Sequence, residues 1–126
     1  MSRHPAVEHP PGSPANPIPL PKEKKVLIRY YEGKRLDSPM GGDLDFLGVR
    51  ESEEGVGRAL FECNVSSLRY VLTIPKATRT ERAKVKESVE KGADLPCPRH
   101  GFRQRLTKSG REWVCPLCGV SFGKSG

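Results

Sequence analysis

Two short motifs near the C-terminus constrain the fold more than any other feature of this sequence. Cys97 and His100 are separated by two residues, and after fourteen further residues Cys115 and Cys118 repeat that spacing. Two such ligand pairs, with room for a hairpin between them, can surround one tetrahedral metal ion with three thiolates and one imidazole. Proteins use this donor set for zinc. The sequence therefore predicts one zinc ion held by Cys97, His100, Cys115 and Cys118.

Both motifs have the form of a zinc knuckle, in which a glycine follows the second ligand: CPRHG and CPLCG. Between them, 102–106 and 111–114 are expected to form the strands of a hairpin, with a turn at 107–110. This arrangement resembles the zinc ribbons of transcription factors, RNA polymerase subunits, transposases and translation-related proteins. One departure is His100, since the commonest ribbons have cysteine there. The resemblance covers residues 95–126 and implies a zinc-ribbon fold for them.

The zinc is expected to be structural. Four ligands at closed-site spacing leave no position for a reactive water, and neither H-E-x-x-H nor H-x-E…P-C-x-x-C accompanies them. A second source of chemistry is an acidic stretch whose carboxylates could bind Mg²⁺ for phosphodiester cleavage. We expect a non-enzymatic protein and keep a metal-dependent nuclease as an alternative. The acidic residues are Asp43, Asp45, Glu51, Glu53 and Glu54.

Positive charge is concentrated in the predicted zinc segment. The chain carries a net charge of +7, and residues 95–126 contain six basic residues and one acidic residue, a net charge of +5. Such a field favours a polyanionic partner, and we expect DNA or RNA. A protein–protein adaptor, with the charge incidental, is the alternative. The residues expected to contact nucleic acid are Arg99, Arg103, Arg105, Lys108, Arg111, Trp113 and Lys124.

Trp113 has two interpretations. An exposed tryptophan can stack on a base. In the alternative, Phe102, Leu106 and Trp113 form the small core of the ribbon and the arginines are solvated; for Trp113 itself the core role is favoured. The whole protein is expected to bind nucleic acid as an accessory factor in transcription, replication, RNA or mobile-element processes.

The rest of the chain predicts a small α+β fold. Residues 1–24 contain seven prolines and are expected to be a disordered tail. Residues 25–75 are expected to form an antiparallel β meander of three or four strands, with the first at 25–31 and Cys63 in its core. Residues 76–94 are expected to hold a charged helix, which Thr78 and Glu81 begin as a capping box, and which spaces the meander from the ribbon.

The cysteines and the hydropathy of the sequence indicate the cellular compartment in which the protein is expected to lie. The first 21 residues contain no apolar segment of the kind found in secretion signals, and no apolar run is long enough to span a membrane. We therefore expect an intracellular protein whose cysteines stay reduced, with three as metal ligands and Cys63 as a separate buried thiol.

Overall fold

The computed structural model describes residues 9–52 and 54–124. Within these ranges the fold is α+β, with two helices and mostly antiparallel strands, as predicted. The predictions for residues 1–8, Glu53 and residues 125–126 lie outside the described residues. No helix in the described ranges combines the length and the apolar character that crossing a membrane requires.

The ordered fold begins earlier in the chain than the sequence suggests. Strand β1 (Ile18–Pro19) pairs in parallel with residues 70–71 at the edge of the main sheet. Leu20 follows it, is buried, and donates its N–H to the carbonyl of Val71 at 3.0 Å. The prediction of a disordered tail to residue 24 is therefore wrong for residues 18–24. Proline is tolerated in β1 because an edge strand need not donate every N–H.

Helix α1 (Glu23–Tyr31) replaces the strand expected at 25–31. Val26 and Leu27 are half-buried, as is Tyr31, and Tyr30 is buried, whereas the residues between these pairs are exposed. This spacing places one helical face against the sheet. The strand prediction was wrong because it gave more weight to the β-branched and aromatic content than to the helical spacing of the apolar residues. In short apolar runs, packing against the rest of the fold overrides the intrinsic propensity of the residues.

The main sheet contains the predicted antiparallel meander. Its strands are β2 (Leu44–Glu51), β3 (Gly57–Cys63) and β4 (Arg69–Ile74), and the sheet order is β1-β4-β3-β2. Every second residue of β3 faces the core, as the period-2 pattern requires. Cys63 is buried there as a free thiol, as predicted.

Helix α2 (Arg79–Glu90) confirms the predicted charged helix and its capping box. The Thr78 hydroxyl accepts from the Glu81 N–H at 3.2 Å, and the Glu81 carboxylate accepts from the Thr78 N–H at 2.9 Å. The helix does not space two separate units, however, because Val85 is buried in the core that both share.

The C-terminal strands pair differently from the predicted hairpin. They are β5 (Pro96–Cys97), β6 (Gly101–Arg105), β7 (Thr107–Ser109), β8 (Glu112–Val114) and β9 (Ser121–Lys124). Strand β6 pairs with β5, while β8 pairs with β7 and β9. The predicted turn residues 107–109 are thus a strand. Leu106 is buried between β6 and β7, and Gly110, at a φ of 62°, turns the chain into β8.

The second ligand motif lies directly on the main sheet. A Cβ at Gly57 of β3 would be 1.7 Å from the carbonyl oxygen of Cys118, and a Cβ at Gly119 would be 2.2 Å from Cγ1 of Val49 in β2. Only glycine permits both approaches. The main sheet and the C-terminal strands therefore share one hydrophobic cluster rather than forming the separate units expected.

We expect Gly57→Ala to destabilise the protein by about 3 kcal/mol or more, because its methyl group meets backbone that cannot move aside. Chemical denaturation of the metal-loaded protein measures this. The control is Gly110→Ala, which places a methyl group in open space at a positive φ and should cost only about 1–2 kcal/mol of backbone strain. Equal losses in the two variants would show that the contact at Gly57 is not tight.

Candidate metal centre

The four predicted ligands converge on one point. Their donor atoms all lie within 4.8 Å of one another. The His100 Nδ1 is 3.6 Å from the sulfurs of Cys97 and Cys115 and 3.2 Å from that of Cys118, and the Cys97 and Cys118 sulfurs are 3.7 Å apart. Metal–sulfur bonds of about 2.3 Å in a tetrahedron place sulfurs about 3.8 Å apart. One metal ion therefore fits this cluster.

Backbone amides support the sulfur ligands. The N–H groups of Arg99 and His100 both donate to the Cys97 sulfur at 3.4 Å. In the second motif, the N–H groups of Cys118 and Gly119 donate to the carbonyl of Cys115 at 3.2 and 2.8 Å. The amides that point at Cys97 favour its thiolate, the form that binds metals.

The cluster is closed to solvent, since each of the four ligands is at most 2% exposed. Hydrogen bonds from the Cys115 and Cys118 thiols lower the pKa of Cys97. Contacts with the sulfurs of Cys115 and Cys97, together with burial, raise the pKa of Cys118. The first thiolate of the cluster therefore forms readily, whereas forming the second and third costs free energy. A bound cation would remove that cost by neutralising the negative charges. The donor atoms thus have the geometry and the chemistry of a metal site.

Helix α1 covers the histidine ligand. The rings of Tyr30 and Tyr31 meet the imidazole of His100 edge-on, at centroid distances of 5.3 and 5.4 Å. The Tyr30 hydroxyl donates to the carbonyl of Leu117, inside the second motif. Burial raises the pKa of both tyrosines, that of Tyr31 to about 12, so both remain neutral. Sequence reasoning missed this contribution because it interpreted 25–31 as a strand.

Arg99 is a structural residue and not the nucleic-acid contact that its charge predicted. Its side chain is 8% exposed and binds the Glu81 carboxylate through Nε at 2.9 Å and Nη2 at 3.1 Å. Burial opposes both charges, but these bonds prevail, raising the pKa of Arg99 and lowering that of Glu81. The guanidinium also contacts the carbonyls of Pro75 and Lys76, the Tyr31 hydroxyl and the rings of Tyr31 and Phe122.

The other predicted basic contacts are exposed but do not lie on one strand. Arg103 and Arg105 are on β6, and Arg105 is 3.7 Å from the exposed Asp94 carboxylate. Lys108, Arg111 and Lys124 are carried by the separate three-stranded sheet β7-β8-β9 and the turn within it. The structure therefore divides these basic residues of the predicted contact set between two sheets.

The aromatic residues of this region differ from the prediction in one case. Trp113 is half-buried against the core, and its Nε1 is buried with no hydrogen-bond partner among the described residues, in agreement with the favoured core role. Leu106 is buried as expected. Phe102, however, is 89% exposed. The expected pairing of 102–106 with 111–114 would have turned it inward, but β6 pairs with β5 instead.

The acidic stretch does not assemble into a second site in the described residues. Asp43 and Asp45 each pair with Arg35 at 3.4 Å. Within 9–52 and 54–124, the cysteine–histidine cluster is the one group of three or more close metal-ligating side chains. The proposed Mg²⁺ site thus gains no support from this geometry.

Comparisons with protein-family models, curated proteins and solved structures gave no match to this chain. The site is therefore interpreted from its own residues.

We expect Arg99→Met to cost about 3 kcal/mol of stability, because it leaves the partly buried Glu81 carboxylate without its partner. Chemical denaturation of the metal-loaded protein measures the loss. The control is Lys91→Met, which removes an exposed pair with Glu87 (2.6 Å) and should cost about 1 kcal/mol or less. An Arg99→Met loss no larger than the control's would contradict the structural role of Arg99.

Proposed function

We propose that the metal is zinc, bound as a structural ion in a module of the zinc-ribbon type. Three thiolates and one imidazole are donors that zinc prefers, and their spacing matches its tetrahedral coordination. All four positions are filled by buried protein ligands, the arrangement of structural rather than catalytic zinc sites. Bound zinc would neutralise the clustered thiolates and link the two motifs to the main sheet.

The purified protein should contain one zinc ion per chain, as measured by elemental analysis. Cys115→Ser should lose the ion, because a hydroxyl is a poor ligand beside two thiolates. His100→Cys should retain it, because four cysteines also form a structural zinc site. Retention by Cys115→Ser, or a folded wild type without metal, would contradict the proposed site.

We further propose that the protein binds nucleic acid through the exposed surface of strand β6. The observation that carries this proposal is Phe102, which is 89% exposed between Gly101 and Arg103 on a two-stranded sheet. An exposed aromatic ring on a basic segment offers a face on which a base can stack. Aromatic rings beside basic side chains are a common arrangement for binding nucleic acids, with bases stacked on the ring and phosphates on the cations.

The charge around Phe102 supports a polyanionic partner. Arg103 and Arg105 alternate along β6 and are both exposed. Gly33, just after α1, lies close to Arg103, since a Cβ at Gly33 would be 3.4 Å from the Arg103 Cδ. The next residue, Lys34, therefore adds a further positive charge near this surface. Arg99 does not contribute to this positive charge, because its guanidinium is paired with the Glu81 carboxylate. The proposed surface, called the β6 surface below, therefore consists of Arg103 and Arg105 on one face of the strand and Phe102 on the other.

The double variant Arg103→Ala/Arg105→Ala should bind a labelled oligonucleotide at least about tenfold more weakly than wild type, with a shallower salt dependence, because two phosphate contacts are lost. Fluorescence anisotropy across a salt series measures both effects. Lys108→Ala/Arg111→Ala is the matched control: it removes the same charge from the other sheet and should have the smaller effect.

Equal losses in the two double variants would show that net charge, and not the β6 surface, determines binding. Failure of wild type to bind single- or double-stranded oligonucleotides at low salt would contradict the nucleic-acid function. In that case the protein–protein adaptor becomes the leading function, with the exposed Phe102 as its first candidate contact.

A further inference from the structure

We propose that a cavity beside the metal centre binds one unpaired base of a single-stranded nucleic acid. This inference rests on the proposed function of the β6 surface and narrows its ligand to single strands. The cavity has a volume of about 420 Å³ and lies between α1 with its following loop, β2, β3 and β6. That volume falls within the range of about 300–1,000 Å³ that is typical of small-ligand pockets.

Three aromatic rings form one wall of the cavity. Phe46 lies 6.1 Å from Tyr30 and 5.7 Å from Phe61, and Tyr30 lies 5.9 Å from Phe61, measured between ring centroids. Tyr30 and Phe61 are buried, but Phe46 is 45% exposed on the edge strand β2. A β-bulge directly after Phe46 shifts the register of β2, a device that often redirects a side chain beside a binding site. The ring of Phe46 can therefore receive a stacked base.

Arg103 joins this cavity to the β6 surface. It belongs to β6 and also lines the cavity, and its side chain crosses beside Gly33 at the opposite rim. A strand whose phosphates contact Arg103 and Arg105 thus passes the mouth of the cavity. One base of that strand can turn inward, toward Phe46.

Charge at the rim favours a phosphate near Arg103 in particular. Lys34 pairs with Glu32 at 3.4 Å, and Arg35 pairs with Asp43 and Asp45 at the same distance. Within the described residues Arg103 has no ion-pair partner, so it is the rim cation left for a phosphate.

The cavity also depends on the metal. His100 lines it while its Nδ1 faces the three sulfurs. The ring is buried, and its Nε2 has no hydrogen-bond partner among the described residues. A bound metal ion would therefore fix a ring that forms part of the cavity wall. All binding measurements must accordingly use the full chain loaded with zinc.

The test compares 15-residue oligothymidine with an oligomer of the same length that has abasic sugars throughout, using fluorescence anisotropy. Wild type should bind oligothymidine about tenfold more tightly, because only that oligomer can stack. Phe46→Leu should lose about tenfold for oligothymidine and change little for the abasic oligomer. The control is Leu47→Ala, whose residue is similarly exposed at 43% but does not line the cavity, and which should behave as wild type.

A second measurement covers the case in which Phe46→Leu fails to fold. Adding thymidine monophosphate to the wild type should shift the aromatic NMR signals of Tyr30, Phe46 and Phe61 through the ring current of the bound base. Absence of these shifts would overturn the inference. Shifts produced by a tryptophan-containing peptide but not by the nucleotide would assign the cavity to a protein partner, and would overturn it as well.

The outcomes separate the two proposals. Oligothymidine binding that falls in Arg103→Ala/Arg105→Ala but not in Phe46→Leu supports the β6 surface and overturns the base pocket. Equal affinity for oligothymidine and the abasic oligomer overturns base stacking at both Phe46 and Phe102, and leaves only the phosphate contacts of Arg103 and Arg105. No binding of either oligomer overturns both proposals together.

Discussion

The partly buried ion pair between Arg99 and Glu81 connects three parts of this fold. Arg99 lies inside the first ligand motif, Glu81 begins helix α2, and the other bonds of the guanidinium reach the end of β4 and the side chain of Tyr31 in α1. Two desolvated charges stabilise such a junction only if nearly every donor is satisfied, and here five hydrogen bonds meet at one side chain. The orientation of the metal ligands therefore depends on a residue that binds no metal.

This junction explains how a chain with little apolar material forms a shared core. Hydrophobic residues make up 35% of the sequence, which is low for a globular protein. The three cysteines of the candidate metal site belong to the same core cluster as residues of α1, α2 and the main sheet. Glycines at positions 57 and 119 let backbone contact backbone where the two halves meet. The basic and aromatic groups of β6 are consequently left outside, free to contact a partner.

The metal ligands, the meander and α2 could be predicted from the sequence because each rests on a local pattern: ligand spacing, alternation and a capping box. The errors at α1, Phe102 and Arg99 share a different cause. Their conformations depend on partners far away in the sequence, such as Leu117 for Tyr30 and Glu81 for Arg99. Charge alone suggested that Arg99 meets phosphate, and only its carboxylate partner shows otherwise. The pairing of β6 with β5 likewise depends on geometry that spacing does not encode.

The bond between Tyr30 and the carbonyl of Leu117 has a consequence for biosynthesis. These residues are 87 positions apart, so α1 is translated long before the motif that it covers. Until the last cysteines leave the ribosome, the apolar face of α1 lacks part of its cover, and the metal lacks half of its ligands. Loops of this length slow folding. Ion capture and closure of the core should therefore occur together, once Cys118 has left the ribosome, and a nascent chain stalled before Cys115 would present an unfinished aromatic surface to chaperones and proteases.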